Sequence, residues 1–135
     1  MPGYSGTPLV KKLGYQSGYR CYVDDAPDEY HAWLDSLPEN VTFLARRGRQ
    51  LDLVHIFASR ASILGRKLVD YRLRIAQNGM IWASWPKKTS GVVTDITEDR
   101  IRELALPLGL VDVKVCAVSD VWSGLKLVIR RANRG

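Results

Sequence analysis

The sequence predicts a three-layer α/β/α sandwich on a mostly parallel sheet, closed by an antiparallel C-terminal hairpin. Strand-type and helix-type segments alternate along most of the chain, and that order builds parallel sheets covered by helices on both sides. Leu51 to Ala58 carries apolar residues on both of its faces, as a strand must when helices cover both sides. Val111 to Val118 and Leu125 to Arg131 each alternate and are joined by the short stretch Ser119 to Gly124, which reads as an antiparallel pair.

Taken in order, Thr7-Pro8 starts a short helix, with Thr7 as N-cap and Pro8 at the first helical position. Leu9, Val10 and Leu13 form its apolar side, and Gly14 ends it. Gln16-Ser17-Gly18 is a turn into a strand at Tyr19 to Val23. A helix is expected from Asp28 to Leu37, because Tyr30, Trp33, Leu34 and Leu37 recur at helical spacing. Pro38-Glu39-Asn40 breaks it before a strand at Val41 to Ala45.

After the strand at Leu51 to Ala58, Ser59 or Ser62 caps a long helix ending at Asn78-Gly79, with Leu64, Leu68, Tyr71 and Ile75 as its buried stripe. Met80 to Trp85 is the next strand. Thr97 caps a further helix, with Glu98 and Asp99 in the first turn, where the helix dipole favours acids. Its inward residues are Ile101, Leu104 and Leu108, and Pro107 loosens its last turn before Gly109.

At 135 residues, 46% hydrophobic and 25% charged, the chain has the composition of one globular domain. That domain is expected to span 1–135, with an extended arm over 1–6 and a frayed tail over 132–135. The first residues carry no signal-peptide core, and no apolar run reaches the roughly 20 residues that span a bilayer. The expectation is a cytoplasmic protein without membrane contact. The net charge is +6 and the pI about 9.5, which favours anionic partners. Cys21 and Cys116 lie in apolar runs and read as buried, reduced thiols, too far apart in sequence for a C-x-x-C pair.

The order of elements resembles the class I methyltransferase form of the doubly wound, Rossmann-like fold. Leu51-Asp52-Leu53-Val54 resembles the start of that family's fourth strand, Asn78-Gly79-Met80-Ile81 the turn into its fifth, and the hairpin its sixth and seventh. Four further stretches resemble an uncharacterised bacterial family of unknown function. They are Gly3 to Leu9 with Lys11-Lys12-Leu13-Gly14, Trp85 to Gly91, Lys114 to Val118, and Trp122-Ser123-Gly124-Leu125. This second resemblance runs nearly the full length and implies no reaction.

The methyltransferase resemblance implies a glycine-rich loop after the first strand and an acid after the second. Asp24-Asp25-Ala26-Pro27 contains no glycine, and Arg46-Arg47 follows the second strand. A donor-only cation stands where an acceptor-only anion is implied. The expectation is therefore no cofactor, adenosylmethionine included.

The candidate site lies instead in the loop Pro86 to Gly91. Lys87 and Lys88 supply charge, Thr89 and Ser90 supply donors, Trp85 supplies a flat wall, and Arg46 is expected nearby at the carboxyl edge of the sheet. The loop lacks the Walker spacing. Asp112 and Lys114, two apart in a strand, are read as sharing a face and forming a surface ion pair. His55, mid-strand, reads as a satisfied core histidine, and His31 has no partner at metal spacing, so no catalytic residue and no metal site is expected.

The leading expectation is a non-catalytic binding domain for a small anionic ligand or an acidic partner. One alternative is a nucleic-acid-associated accessory protein, drawn from the basic clusters at Lys11-Lys12, Arg46-Arg47-Arg49, Arg66-Lys67, Lys87-Lys88 and Arg130-Arg131. Another is a divergent methyltransferase-like enzyme.

Overall fold

A computed structural model describes residues 7–134. The arm expected over 1–6 lies outside the described residues. The elements are α1 (Leu9–Leu13), β1 (Arg20–Asp24), α2 (Tyr30–Trp33), β2 (Thr42–Phe43), β3 (Leu51–Phe57), α3 (Ala61–Arg72), β4 (Ile75–Pro86), α4 (Glu98–Ala105), β5 (Leu110–Ala117) and β6 (Trp122–Ile129). The strands form one sheet in the order β2-β1-β3-β4-β6-β5. β2, β1, β3 and β4 run parallel; β6 runs antiparallel to β4, and β5 pairs antiparallel with β6, which returns it to the direction of the first four. This is the predicted α/β architecture, Rossmann-like with an antiparallel C-terminal pair.

Alternation along the central strands sorts their side chains to two cores. Val54 and Ile56 of β3 and Ile81 and Ala83 of β4 join Leu64, Leu68 and Tyr71 of α3 and Ile101 of α4. Leu53, Phe57, Met80 and Trp82 face the other way, against Leu9, Val10 and Leu13 of α1 and Tyr30 of α2. Helices therefore cover both faces of the central strands, which is why those strands carry no polar face. No helix among the described residues is long and apolar enough to cross a membrane.

Several elements depart from expectation. Pro8, not Thr7, is the N-cap of α1, and no side chain caps that helix. α2 is a single turn, because the backbone leaves the helix at Leu34 (φ −94°, ψ 68°) and Ser36 takes φ 59°. Leu34 is still buried, so its apolar spacing was satisfied without a longer helix. Neither Ser59 nor Ser62 caps α3. Asp95 reaches in from a distant loop, its Oδ1 accepting from the Ala61 backbone N–H at 2.7 Å. α3 stops at Arg72, and Ile75 belongs to β4, opposite Leu51. At the C-terminal end, a 3-10 turn spans Arg131–Asn133, and the Arg134 guanidinium donates to the Ile129 carbonyl at 3.0 Å.

Thr97 caps α4 as expected, its Oγ1 accepting from the Arg100 N–H at 3.1 Å. Gly109 takes φ 78°, ending the 3-10 turn that contains Pro107.

Between Ile75 and Met80, β4 swings out of register while β3 advances from Leu51 to Leu53. Gly79 makes this possible. A Cβ there would stand 2.6 Å from the Leu51 carbonyl oxygen and 3.1 Å from that of Ala76. Both are backbone atoms in paired strands and cannot step aside. Gly79→Ala is expected to destabilise the protein by about 2–3 kcal/mol in urea denaturation. A loss below about 0.5 kcal/mol, the range of surface substitutions, would contradict this close approach.

Candidate functional site at the switch point of the sheet

From β1 the chain steps outward to β2, then crosses back to lay β3 and β4 on the other side of β1. Order reverses between β1 and β3, and in open α/β sheets ligands bind outside the carboxyl ends of the strands at that reversal. The two strands end side by side, with Asp24 opposite Ile56. The segments that leave them are Asp24-Asp25-Ala26-Pro27-Asp28-Glu29 and Ala58-Ser59-Arg60.

Asp24 is committed to the scaffold. Its carboxylate accepts from Lys67 Nζ and from the Tyr71 hydroxyl, each at 2.5 Å, which ties the end of β1 to α3. Burial, and then the bond to Asp24, push the Tyr71 hydroxyl far above its usual range, so it stays a donor. The next residue, Asp25, takes φ 60°. Aspartate enters this left-handed region far more readily than most residues, so the turn forms without glycine. Asp25, Asp28 and Glu29 are exposed. Their side chains form no hydrogen bond or ion pair with the described residues. On a chain of net charge +6, this loop is a local concentration of negative charge.

Across the reversal, the β3–α3 turn is stapled to the loop before α4. Thr94 Oγ1 donates to the Ser59 carbonyl at 2.7 Å, beside the Asp95 bond to Ala61. Ser59, Arg60, Ser62, Val93, Thr94 and Asp95 line a cleft of about 550 Å³ there.

The residues singled out from sequence fall on the flanks of this centre. Lys87, Lys88, Thr89 and Ser90 follow β4, and Arg46 follows β2, so all lie at the carboxyl rim of the parallel strands. β2 and β4 are separated by β1 and β3, which at about 4.8 Å per step sets the two groups ~14 Å apart. Trp85 and Lys88 do come together, in a cleft of about 380 Å³, but its other wall carries Glu98 and Asp99. Trp85 is buried in the core. Ser90 Oγ donates to the Lys87 carbonyl at 2.6 Å and accepts from the Val92 N–H at 3.1 Å, so the hydroxyl closes its own turn. Thr89 is exposed. Arg46 is exposed, while its neighbour Arg47 pairs with Asp70 at 2.6 Å.

The basic clusters do not share one face. Lys11-Lys12 lies on α1 and Arg66-Lys67 on α3, in opposite helical layers. Asp112 and Lys114 do not share a face either. The β5–β6 register shifts between them, so Asp112 stands opposite Leu127 and Lys114 opposite Lys126. Asp112 pairs instead with Arg102 of α4 at 3.0 Å.

His55 is the buried polar group that sequence marked as structural. Its Nδ1 meets the Tyr30 hydroxyl at 2.8 Å and its Nε2 meets Ser84 Oγ at 2.7 Å. The Tyr30 hydroxyl also meets that of Tyr15 at 2.7 Å. Burial pushes the imidazole down to about 3, so the ring is neutral. Tyr15 and Tyr30 were not foreseen as polar partners, since Tyr30 reads as part of an apolar stripe.

No protein-family model matches the chain, and no curated protein matches its sequence. Solved structures match its fold. One is a putative type 11 methyltransferase from Sulfolobus solfataricus (TM-score 0.62, 10% identity, covering 95% of this chain and 92% of that one). Another is fibrillarin from Aeropyrum pernix with natively bound S-adenosyl-L-methionine (TM-score 0.58, 12% identity, 93% and 70%). A third is magnesium protoporphyrin IX methyltransferase from Synechocystis with bound SAH (TM-score 0.56, 11% identity, 89% and 77%).

The likeness is one of fold, and it supports the methyltransferase topology rather than the resemblance to the uncharacterised bacterial family. It also corrects the expectation that adenosylmethionine is excluded. The fold is shared with proteins solved with that cofactor or SAH bound. Asp25 takes φ 60°, so the left-handed turn after β1 forms without a glycine.

Proposed function

We propose that the chain is a methyltransferase-like domain that binds adenosylmethionine in the crevice between the carboxyl ends of β1 and β3. The observation that carries this reading is the coincidence of the switch point with the acidic turn after β1. Adenosylmethionine supplies a methyl group on a positively charged sulfur. A cationic ligand suits a rim bearing Asp25, Asp28 and Glu29, all exposed, better than it suits the lysine loop after β4.

No acid follows β2, where Arg46 and Arg47 stand. The acceptor for ribose hydroxyls then falls to Asp25, on the neighbouring strand. A carboxylate can take two such bonds, and charge-assisted bonds are the stronger kind. Asp24, held by Lys67 and Tyr71, fixes the start of the turn and keeps Asp25 at the mouth. The cleft at Ser59 and Thr94 adjoins the same strand ends and is the place for a second molecule. Solved structures of similar fold, with S-adenosyl-L-methionine or SAH bound, support the choice of ligand class over a small anion.

Calorimetric titration with adenosylmethionine and with its demethylated product tests the reading. Binding is expected, and Asp25→Asn should weaken it about tenfold, the loss of one charge-assisted bond of about 1.4 kcal/mol. Asparagine also tolerates the left-handed turn, so the variant isolates charge from backbone shape. Heats indistinguishable from dilution at millimolar ligand, with folded protein, would overturn the proposal.

A further inference from the structure

On the α1 side of the closing hairpin, three lysines converge. Lys114 of β5 stands directly opposite Lys126 of β6. In such a pair the Cβ atoms lie about 4.5–5.5 Å apart, and like charges so placed repel. On its other side Lys126 stands opposite Trp82 of β4. The Trp82 indole N–H donates to the Leu13 carbonyl at 2.8 Å. That bond lays the end of α1, with Lys12 beside Leu13, over the same face. Cys116 marks the middle of the group: burial pushes its thiol up, while the charges of Lys12 and Lys114 both pull it down. Burial, and then Lys114, lower the affinity of Lys126 for its proton. Neither Lys114 nor Lys126 comes within ion-pair distance of a carboxylate among the described residues.

We propose that Lys114 and Lys126, with the charge of Lys12 nearby, form a seat for a multiply charged phosphate anion, separate from the crevice between β1 and β3. The register sets the two lysines opposite each other on paired strands, and the indole bond holds the end of α1 over the same face. An anion of the pyrophosphate class, with several oxygens and more than one negative charge, relieves the repulsion and accepts from both Lys114 and Lys126. Lysine acts on phosphate as a point charge with freely turning donors, so the seat selects charge density more than shape. Unlike the loop at Lys88, which faces Glu98 and Asp99, Lys114 and Lys126 have no carboxylate in ion-pair contact among the described residues.

The test is thermal denaturation of the full chain with increasing inorganic pyrophosphate, against sodium chloride at matched ionic strength. Pyrophosphate is expected to raise the melting temperature beyond the chloride control. Lys114→Gln with Lys126→Gln should melt higher than wild type without pyrophosphate, because the repulsion is gone, and should lose the pyrophosphate-dependent rise. Its affinity by calorimetry should fall at least tenfold. Lys126→Gln alone gives the same directions should the double variant fold poorly. Three results would each overturn the proposal: no rise beyond chloride in wild type, an undiminished rise in the hairpin variants, or loss of the rise in Lys87→Gln with Lys88→Gln instead.

Discussion

Acidification from pH 6.5 to pH 4 is expected to remove on the order of 3 kcal/mol of stability through His55 alone, at about 1.4 kcal/mol per pH unit. Once unfolded, the imidazole takes up a proton as pH drops below its ordinary value of 6.5, whereas burial in the folded chain holds it to about 3. Between those values the unfolded state carries the extra proton, so stability falls as pH falls. The full contribution is present above pH 6.5 and is gone near pH 3. Urea denaturation at pH 7 and pH 5 reads the effect where most carboxylates remain ionised. His55→Gln keeps an acceptor and a donor for Tyr30 and Ser84 but cannot titrate. It should cost about 1–2 kcal/mol at pH 7 and flatten the change between the two pH values. An unchanged pH dependence in that variant would mean that other groups drive acid unfolding.

Trp82→Ala should bring the chain to the edge of unfolding. Trp82 is fully buried in the strand between β3 and β6. Removing such a side chain costs about 3–5 kcal/mol. The Leu13 carbonyl also loses its indole donor, and an unpaired buried acceptor costs about 1–3 kcal/mol. The sum approaches the whole stability of an ordinary domain, about 5–15 kcal/mol. Trp82→Phe keeps most of the apolar volume and loses the hydrogen bond, so it should fall between wild type and Trp82→Ala. Chemical denaturation followed by circular dichroism separates the three. A loss under about 2 kcal/mol for alanine, below the range for large buried aromatics, would show that the site collapses around the gap.

Much of the architecture was readable in the chain before any coordinates. The doubly apolar run at Leu51 and the alternating pair after Gly109 reflect burial, which composition records directly. Boundaries were less readable where burial and secondary structure part company. Ile75 lies at helical spacing from Tyr71 and is buried in the same core, yet it reaches that core from a strand. Leu34 is buried outside any helix. The cap of α3 was invisible because Asp95 comes from a loop 34 residues away in sequence. The shift at Val113 leaves no compositional trace, so Asp112 and Lys114 were set on one face and stand on two.

The switch point was hidden in the sequence for a related reason. Charge and hydroxyls at Lys87 to Ser90 are conspicuous in a linear reading, whereas the switch point exists only once β3 is known to lie beside β1. The turn after β1 was hidden because residue type does not give backbone conformation, and Asp25 adopts the left-handed turn without being glycine. His55 was judged correctly as structural. A lone histidine between Val54 and Ile56 has no metal-binding neighbour in sequence, and the structure surrounds it with hydroxyls.

The displaced register at Val113 also bears on how copies of this chain behave when crowded. β5 is the outermost strand on its side of the sheet, and it exposes Val113 and Val115 at 53% and 49%. An open, sticky margin of that kind invites a second molecule to add its own strand, the first step toward aggregates. The extra residue bends the margin midway, so an incoming strand matched to Leu110 and Val111 falls out of step before it reaches Val115. The opposite margin is guarded by brevity, since β2 offers only Thr42 and Phe43.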